Sequence, residues 1–192
     1  ILRQPLEDKV IRISRVYGTY DFPADFMLCA AMNPCPYGHY PDMNRCRCTP
    51  AQVMQYLGRI SQPLLDRLDL CAEVSPVDFE GLSSGRKGES TQTIRERVIC
   101  AQDIQRERYK IEGIQFNGEL SGAQIEKYCK MEKDARQLLK MAFQNMPFSA
   151  RAYHRILKVA RTIADMEATE SIHRHHIAEA LSYRAFDKKY WN

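Results

Sequence analysis

From residue 91 onward the apolar residues recur at helical spacing, and capping residues punctuate the recurrence. Ile94, Val98, Ala101 and Ile104 mark one face of residues 91–109. Leu138, Leu139, Ala142 and Phe143 do so across 132–145, Ile156, Val159, Ala160 and Ile163 in a long third segment, and Ile177, Ala180 and Leu181 in a last one. Steps of three and four residues gather such side chains into one stripe per helix. Ser121-Gly122-Ala123-Gln124 is a capping box, Ser149 precedes the third stripe and Ser171 the fourth; each offers an oxygen to the unpaired N–H groups of a first turn. Stripes of this kind have to be buried against one another, so residues 91–192 are expected to form an all-α bundle of four or five helices.

The first eighty residues are patterned differently. Val10–Ser14 reads as a short strand or hairpin arm. Phe26–Met32 is an unbroken run of seven apolar residues, the pattern of a strand covered on both faces in a parallel α/β sheet, with Cys29 in the core. Thr49-Pro50-Ala51-Gln52 starts a helix, with a capping box and proline at the first helical position; Val53, Tyr56, Leu57 and Ile60 form its face, and Pro63 stops or kinks it. Leu68, Leu70, Ala72 and Val74 alternate with Asp69, Cys71 and Glu73, which reads as a second strand. Gly, Ser and charges dominate EGLSSGRKGES at 80–90. The predicted organisation is an α/β region over 1–80, a linker over 81–90 and a helical domain over 91–192.

The 192 residues carry a net charge of +4, mildly basic and compatible with a nucleic-acid partner without requiring one. No apolar run reaches the ~18 residues of a membrane span, and no signal peptide is visible. The opening ILRQPLEDK lacks an initiator Met and starts mid-pattern, so a piece of a longer protein is expected. The seven cysteines do not form a disulfide framework; they suit a reducing cytoplasm, where clustered thiols suggest metal and scattered ones are small core residues.

The clustered ones lie in NPCPYGHYPDMNRCRC, residues 33–48. Cys35, Cys46 and Cys48 supply three zinc ligands by type and spacing, and His39 is the nearest fourth. Four protein ligands would make the zinc structural. The alternative is a reduced loop held by its prolines. His173, His175 and His176 read as a solvated helix surface, since no carboxylate or cysteine completes a set. Arg106, Arg108 and Lys110 give one helix a basic end. Gly85-Arg86-Lys87-Gly88 is not a phosphate loop, because the G-x-x-x-x-G-K-[ST] spacing is absent throughout the chain.

Three further residues have two readings each. Asn33 is a turn residue before Pro34, or a polar group at the end of a strand, where ligands of open α/β sheets sit. Arg67 is a surface arginine beside Asp66 and Asp69, or a projecting cation anchored by Leu64-Leu65. Arg151 lies in a first helical turn, where the dipole disfavours a cation by ~0.3–1 kcal/mol unless an anion is bound there.

LRQPLED (2–8), AAMNPCP (30–36), RCRCTPAQ (45–52), RISQPLLDRLDL (59–70) and SARAYHRILKVARTIADME (149–167) occur together and in order. In these phrases the chain resembles the magnesium-chelatase-like AAA+ ATPases, in particular the type associated with bacterial competence. The resemblance covers nearly the whole chain. It implies the C-terminal part of an AAA+ core followed by a helical lid, beginning after the Walker A and Walker B motifs. It implies sensor 1 at Asn33, holding the attacking water; an arginine finger at Arg67, acting in trans from a rigid edge; and sensor 2 at Arg151, facing the γ-phosphate. ATP and Mg2+, a hexameric ring and DNA branch migration are implied for the parent. The chain itself, without a phosphate loop, is expected to bind ATP poorly and hydrolyse none. Family members often carry a fourth cysteine at the position of Tyr37, so this chain departs from the pattern in its thiol set. Two other functions stay open at this point: an ATPase subunit that helps insert magnesium into a porphyrin, and a non-enzymatic zinc and helix-bundle DNA-binding module.

Overall fold

Ser149 and Ser121 act as their positions predict. The Ser149 hydroxyl accepts from the Ala152 N–H at 3.2 Å, and Ser121 forms a reciprocal box with Gln124. The coordinates are a computed structural model that describes residues 2–75, 77, 79, 83, 85, 88–146 and 148–184. These fall into two units, one up to Leu68 and one from Asp69. Half of the predicted linker 81–90, Arg86 and Lys87 included, lies outside the described residues.

In the first unit α1 (Arg3–Asp8) ends at Lys9, whose left-handed φ of 55° lets its N–H reach back to the Pro5 carbonyl. A hairpin follows: β1 (Val10–Arg15) pairs antiparallel with β2 (Gly18–Pro23), in register from Val10↔Pro23 to Arg15↔Gly18. The two-residue period sets Ile11 and Ile13 beside Phe22 and Tyr20 on one face. On the other, Arg12 donates to Asp21 at 2.7 Å and the Ser14 and Thr19 hydroxyls lie 3.1 Å apart. The arm expected at 10–14 is therefore one half of a hairpin.

The other two strand expectations are corrected. Residues 26–32 and 68–74 run as irregular backbone, and β1–β2 is the only sheet among the described residues. A strand needs neighbours for its N–H and C=O groups; among the described residues neither run is paired in a sheet, and the 68–74 run has one backbone bond outward, from the Cys71 N–H to the Tyr183 carbonyl at 3.1 Å. Phe26, Met27 and Met32 are exposed, and so is Cys29, which was expected in a core.

α2 (Pro50–Leu57) starts as predicted, with Thr49 and Gln52 exchanging capping bonds and Pro50 at the first position. It ends at Gly58, well before Pro63, which instead opens a short α3 (Gln62–Leu65), a place where its missing N–H costs nothing. Val53 and Leu57 turn inward and pack with Cys35, Cys46 and Cys48.

The second unit is helical: α4 (Thr91–Arg108), a 3-10 turn (Asn117–Glu119), α5 (Gly122–Tyr128), α6 (Lys133–Asn145), α7 (Ala150–Met166) and α8 (Arg174–Ser182). Its centre is α7, which buries Ala152, Ile156, Leu157, Ala160 and Ala164 on one stripe. These meet Leu139 of α6, Ile177 and Ala180 of α8, Ile125 and Tyr109. Ile172 pairs with the segment before α6: its N–H donates to the Lys130 carbonyl at 2.8 Å and its carbonyl accepts from Glu132 at 3.1 Å. Two expectations shift here. The cap of α8 is His173 rather than Ser171, its N–H donating to His176 Nδ1 at 3.0 Å. The α4 stripe is only half buried: Ala101 and Gln105 turn inward, while residues 91–100, Ile94 and Val98 included, are exposed. The core touches only the C-terminal half of that helix.

A buried polar network fastens this end of the bundle. Asp165, fully buried on α7, accepts from Arg108 of α4, from Asn117 Nδ2 at 2.8 Å and from Arg161 Nε at 3.1 Å. Arg161, itself 1% exposed, also donates to the Thr169 and Glu170 carbonyls. Asn117 further donates to Thr162 and accepts from the Tyr109 hydroxyl at 2.6 Å. Every charge here has a partner, the condition on which buried ions are tolerated. α7 closes in a Schellman motif: Ala168 N–H donates to the Asp165 carbonyl and Thr169 N–H to that of Ala164. Ala168 takes the left-handed position, φ 53°, which favours glycine.

Candidate functional site

Residues 33–48 have no regular structure, so prolines and short turns position their side chains. Gly38 makes the turn after Cys35 with φ 80°, and its N–H donates to the Cys35 carbonyl at 3.0 Å. The turn aims two backbone N–H groups at the Cys35 sulfur, those of Gly38 at 3.2 Å and Tyr40 at 3.5 Å. Asp42 closes a second turn, its carbonyl accepting from Arg45 and Cys46, which brings Cys46 back to 3.6 Å from Cys35, sulfur to sulfur. Cys48 follows just ahead of the Thr49 cap. All three thiols are buried, and their sulfurs lie within 4.8 Å of one another.

Their acidities are pulled apart. Burial pushes the Cys35 thiol up, but backbone N–H groups of its own turn, that of Tyr40 first, and the neighbouring thiols Cys46 and Cys48 outweigh it, so that it titrates at about 7. The Cys48 N–H draws Cys46 down, but burial and the thiols of Cys35 and Cys48 prevail and raise it. One thiol thus gives up its proton near neutrality and the next holds on, until a cation stabilises more than one thiolate. Three converging sulfurs fit a thiophilic ion, zinc among them. His39 does not join them; it is exposed and outside the cluster. Of the four predicted ligands the structure brings three together.

Asn33 is exposed at the start of the same loop, its amide 3.6 Å from where a Cβ on Gly38 would lie. Arg67 does not project as expected. Its side chain is 12% exposed and lies on its own chain: Nε donates to the Arg3 carbonyl at 3.1 Å, Nη1 to the Pro63 carbonyl at 2.6 Å, and Nη2 to Glu7. The α1 carboxylate and two backbone carbonyls hold the guanidinium back on its own chain. Glu7 went unnoticed in the sequence, where only its place in LRQPLED could have flagged it. Arg151 is exposed in the first turn of α7, two residues after the Ser149 cap.

The histidines depart further from expectation. Glu167 supplies the missing carboxylate, with His175 Nε2 and His176 Nε2 both 2.9 Å from its Oε2. These hydrogen bonds hold the Glu167 carboxyl below its usual range, that of His175 first. His176 is fully buried. Its Nδ1 accepts the His173 N–H, so the neutral ring carries its proton on Nε2 and donates it to Glu167. That proton stands where a metal would bind, and the group is a helix-capping network rather than a ligand set. The basic end of α4 is also spoken for: Arg106 pairs with Asp103, Arg108 with Asp165 and Lys110 with Glu107.

Residues 1–82 match the model of magnesium chelatase, subunit ChlI, and residues 88–184 that of the ChlI C-terminal region. The chain therefore belongs to the magnesium chelatase ChlI family of AAA+ proteins. Within it the type is ComM/YifB. The chain is 45% identical over 189 residues to YifB of Salmonella typhimurium, covering 97% of this chain and 36% of that protein. It is 45% identical over 185 residues to the competence protein ComM of Haemophilus influenzae, covering 96% and 35%, and 42% identical to YifB of Escherichia coli. The chain thus spans about a third of the length of these relatives. Among the described residues no helix is long and apolar enough to cross a membrane.

Proposed function

We propose that this chain is part of an ATP-hydrolysing AAA+ motor that works as a hexameric ring in the cytoplasm and remodels DNA, as in branch migration. The ordered match to the ChlI models over both regions carries the reading, and the competence protein among its relatives directs the work toward DNA. The 192 residues hold no G-x-x-x-x-G-K-[ST], so the phosphates of ATP and its Mg2+ would be held by the remainder of the longer protein. That remainder would also supply the strand neighbours that residues 26–32 lack, placing Asn33 at a strand end, where its amide holds the attacking water. Arg151 would meet the γ-phosphate at the start of α7, where an anion relieves an arginine placed against the helix dipole.

Arg67 is the finger in this reading. A guanidinium has five N–H donors, and three are engaged within its own chain. One remains on each terminal nitrogen, enough for two oxygens of a phosphoryl group in the neighbouring subunit. Held by three acceptors, the side chain loses little further freedom on inserting, which favours the transition state over ground-state binding. The pairing of Arg106, Arg108 and Lys110 with acids takes support from a DNA-binding module built on α4.

The test uses the full-length parent. Arg67→Ala lowers ATP hydrolysis by ~10³–10⁵-fold with nucleotide affinity nearly unchanged, and lysine does not rescue it. Mixing Arg67→Ala subunits with subunits lacking the phosphate-loop lysine restores part of the activity, at interfaces where both groups are intact. Full activity of Arg67→Ala rings sinks the assignment.

A second reading concerns residues 35–48. The three convergent buried thiols favour a bound zinc ion that fastens this loop to α2. Bound there, zinc supplies cross-linking rather than chemistry. Cys35, Cys46 and Cys48 hold it, and the Gly38 and Tyr40 N–H groups orient and stabilise the Cys35 sulfur.

A further inference from the structure

Three thiolates are one donor fewer than a closed tetrahedral site uses. No other His, Cys, Asp or Glu among the described residues joins Cys35, Cys46 and Cys48. The surroundings of the sulfurs differ. Cys35 is closed in by its own turn and fully buried. Cys48 forms part of the wall of an open cleft of about 210 Å³, shared with Tyr37, Gln52, Gln55, Tyr56 and Arg59. The Arg59 guanidinium lies 5.9 Å from the centre of the Tyr56 ring, which places a cation in that wall beside two side-chain amides. Among the described residues no carboxylate lines it. A small anion with a soft donor atom matches such a cleft in charge and would approach the metal from the side of Cys48, the ligand residue that lines it.

Resting on the thiolate-metal reading above, we propose that this centre holds its metal through three cysteines only and takes a small exogenous thiolate as the fourth donor, admitted through the cleft beside Cys48. The incoming thiol releases its proton to solvent and binds as the thiolate; no protein ligand leaves. The site is then open and exchangeable, unlike a four-cysteine structural site, and its occupancy follows the thiol concentration around it.

The experiment uses the reduced chain, kept so by a phosphine reductant, with cobalt(II) in place of zinc as a spectroscopic probe. 2-Mercaptoethanol is titrated into the one-to-one complex. A saturable rise of about one third in thiolate-to-cobalt absorption is expected, four sulfurs replacing three. Arg59→Ala weakens that response by raising the thiol concentration it needs, and His39→Ala leaves the starting spectrum unchanged. A spectrum indifferent to added thiol overturns the open position, and so does one that His39→Ala alters, because the fourth donor is then the chain's own. Failure to bind cobalt or zinc at all removes the metal reading itself, a result distinct from a loaded site that ignores thiol.

Discussion

The two units are held together by different means. Among the described residues, the one from Asp69 has thirteen in its buried apolar cluster, drawn from most of its helices. Beneath the cluster Asp165 ties α4, the 3-10 turn and α7 into one network. The unit up to Leu68 has, among its described residues, a cluster of five, and three of the five are cysteines. Its largest apolar run, 26–32, is mostly exposed. Burying apolar area at ~25 cal/mol per Å² can sustain the first arrangement but leaves little to sustain the second. The lesson is that one region carries its stability within its own helices. The other has few buried apolar side chains among its described residues to carry its own.

The sharpest way to break this contrast is to remove the Asp165 carboxylate. Asp165→Ala strands Arg161 and Arg108 in a buried site and should cost ~3–5 kcal/mol, read as the midpoint of urea unfolding by helical circular dichroism. Asp21→Ala, which removes an exposed partner in the hairpin, should leave that midpoint unchanged. Equal losses from the two would erase the distinction.

Next in size is metal. Zinc at about a hundredfold excess over its dissociation constant adds about 2.7 kcal/mol to whatever it holds folded. Hydrogen exchange should slow across residues 35–57 and stay as it was across 120–181, and Cys46→Ser should abolish the slowing. Protection that spreads equally over both segments would mean that the thiols do not act locally.

The smallest effect is a gain. Ala168→Gly relieves a left-handed alanine at the end of α7 and should stabilise the helical unit by ~0.5–1 kcal/mol. A loss would show that the methyl packs usefully.

The helices were legible in the sequence because caps and stripes are local. Thr49, Ser121 and Ser149 each bond to an N–H three residues on, within the reach of a short reading window. The start of α8 was misplaced because a histidine ring, His176, does what a serine or carboxylate usually does there. Strands were legible only as apolar patterns. Pairing depends on a neighbour far along the chain, and 26–32 has none among the described residues. The thiol triad could be read from residue type and spacing, whereas the exclusion of His39 depends on how the 35–40 turn points it. Arg67 is singled out by its phrase alone, and its tether could not be read there, since Glu7 lies sixty positions away. The same holds for Glu167 and the two histidines, which meet only once α7 and α8 have packed.

α4 is, mechanically, a rod clamped at one end. Residues 91–100 are exposed, and the grip comes from Ala101, Gln105 and the Arg108–Asp165 pair. At ~1.5 Å per residue the free portion is ~15 Å long, about three turns of a stiff helix. A load applied near Thr91 therefore arrives at Asp165 as torque, multiplied by the length of the arm. Asp165 is hydrogen-bonded to Arg161, which grips the chain beyond α7 at Thr169 and Glu170. The lever and the fastening that it would strain are thus built on a single carboxylate.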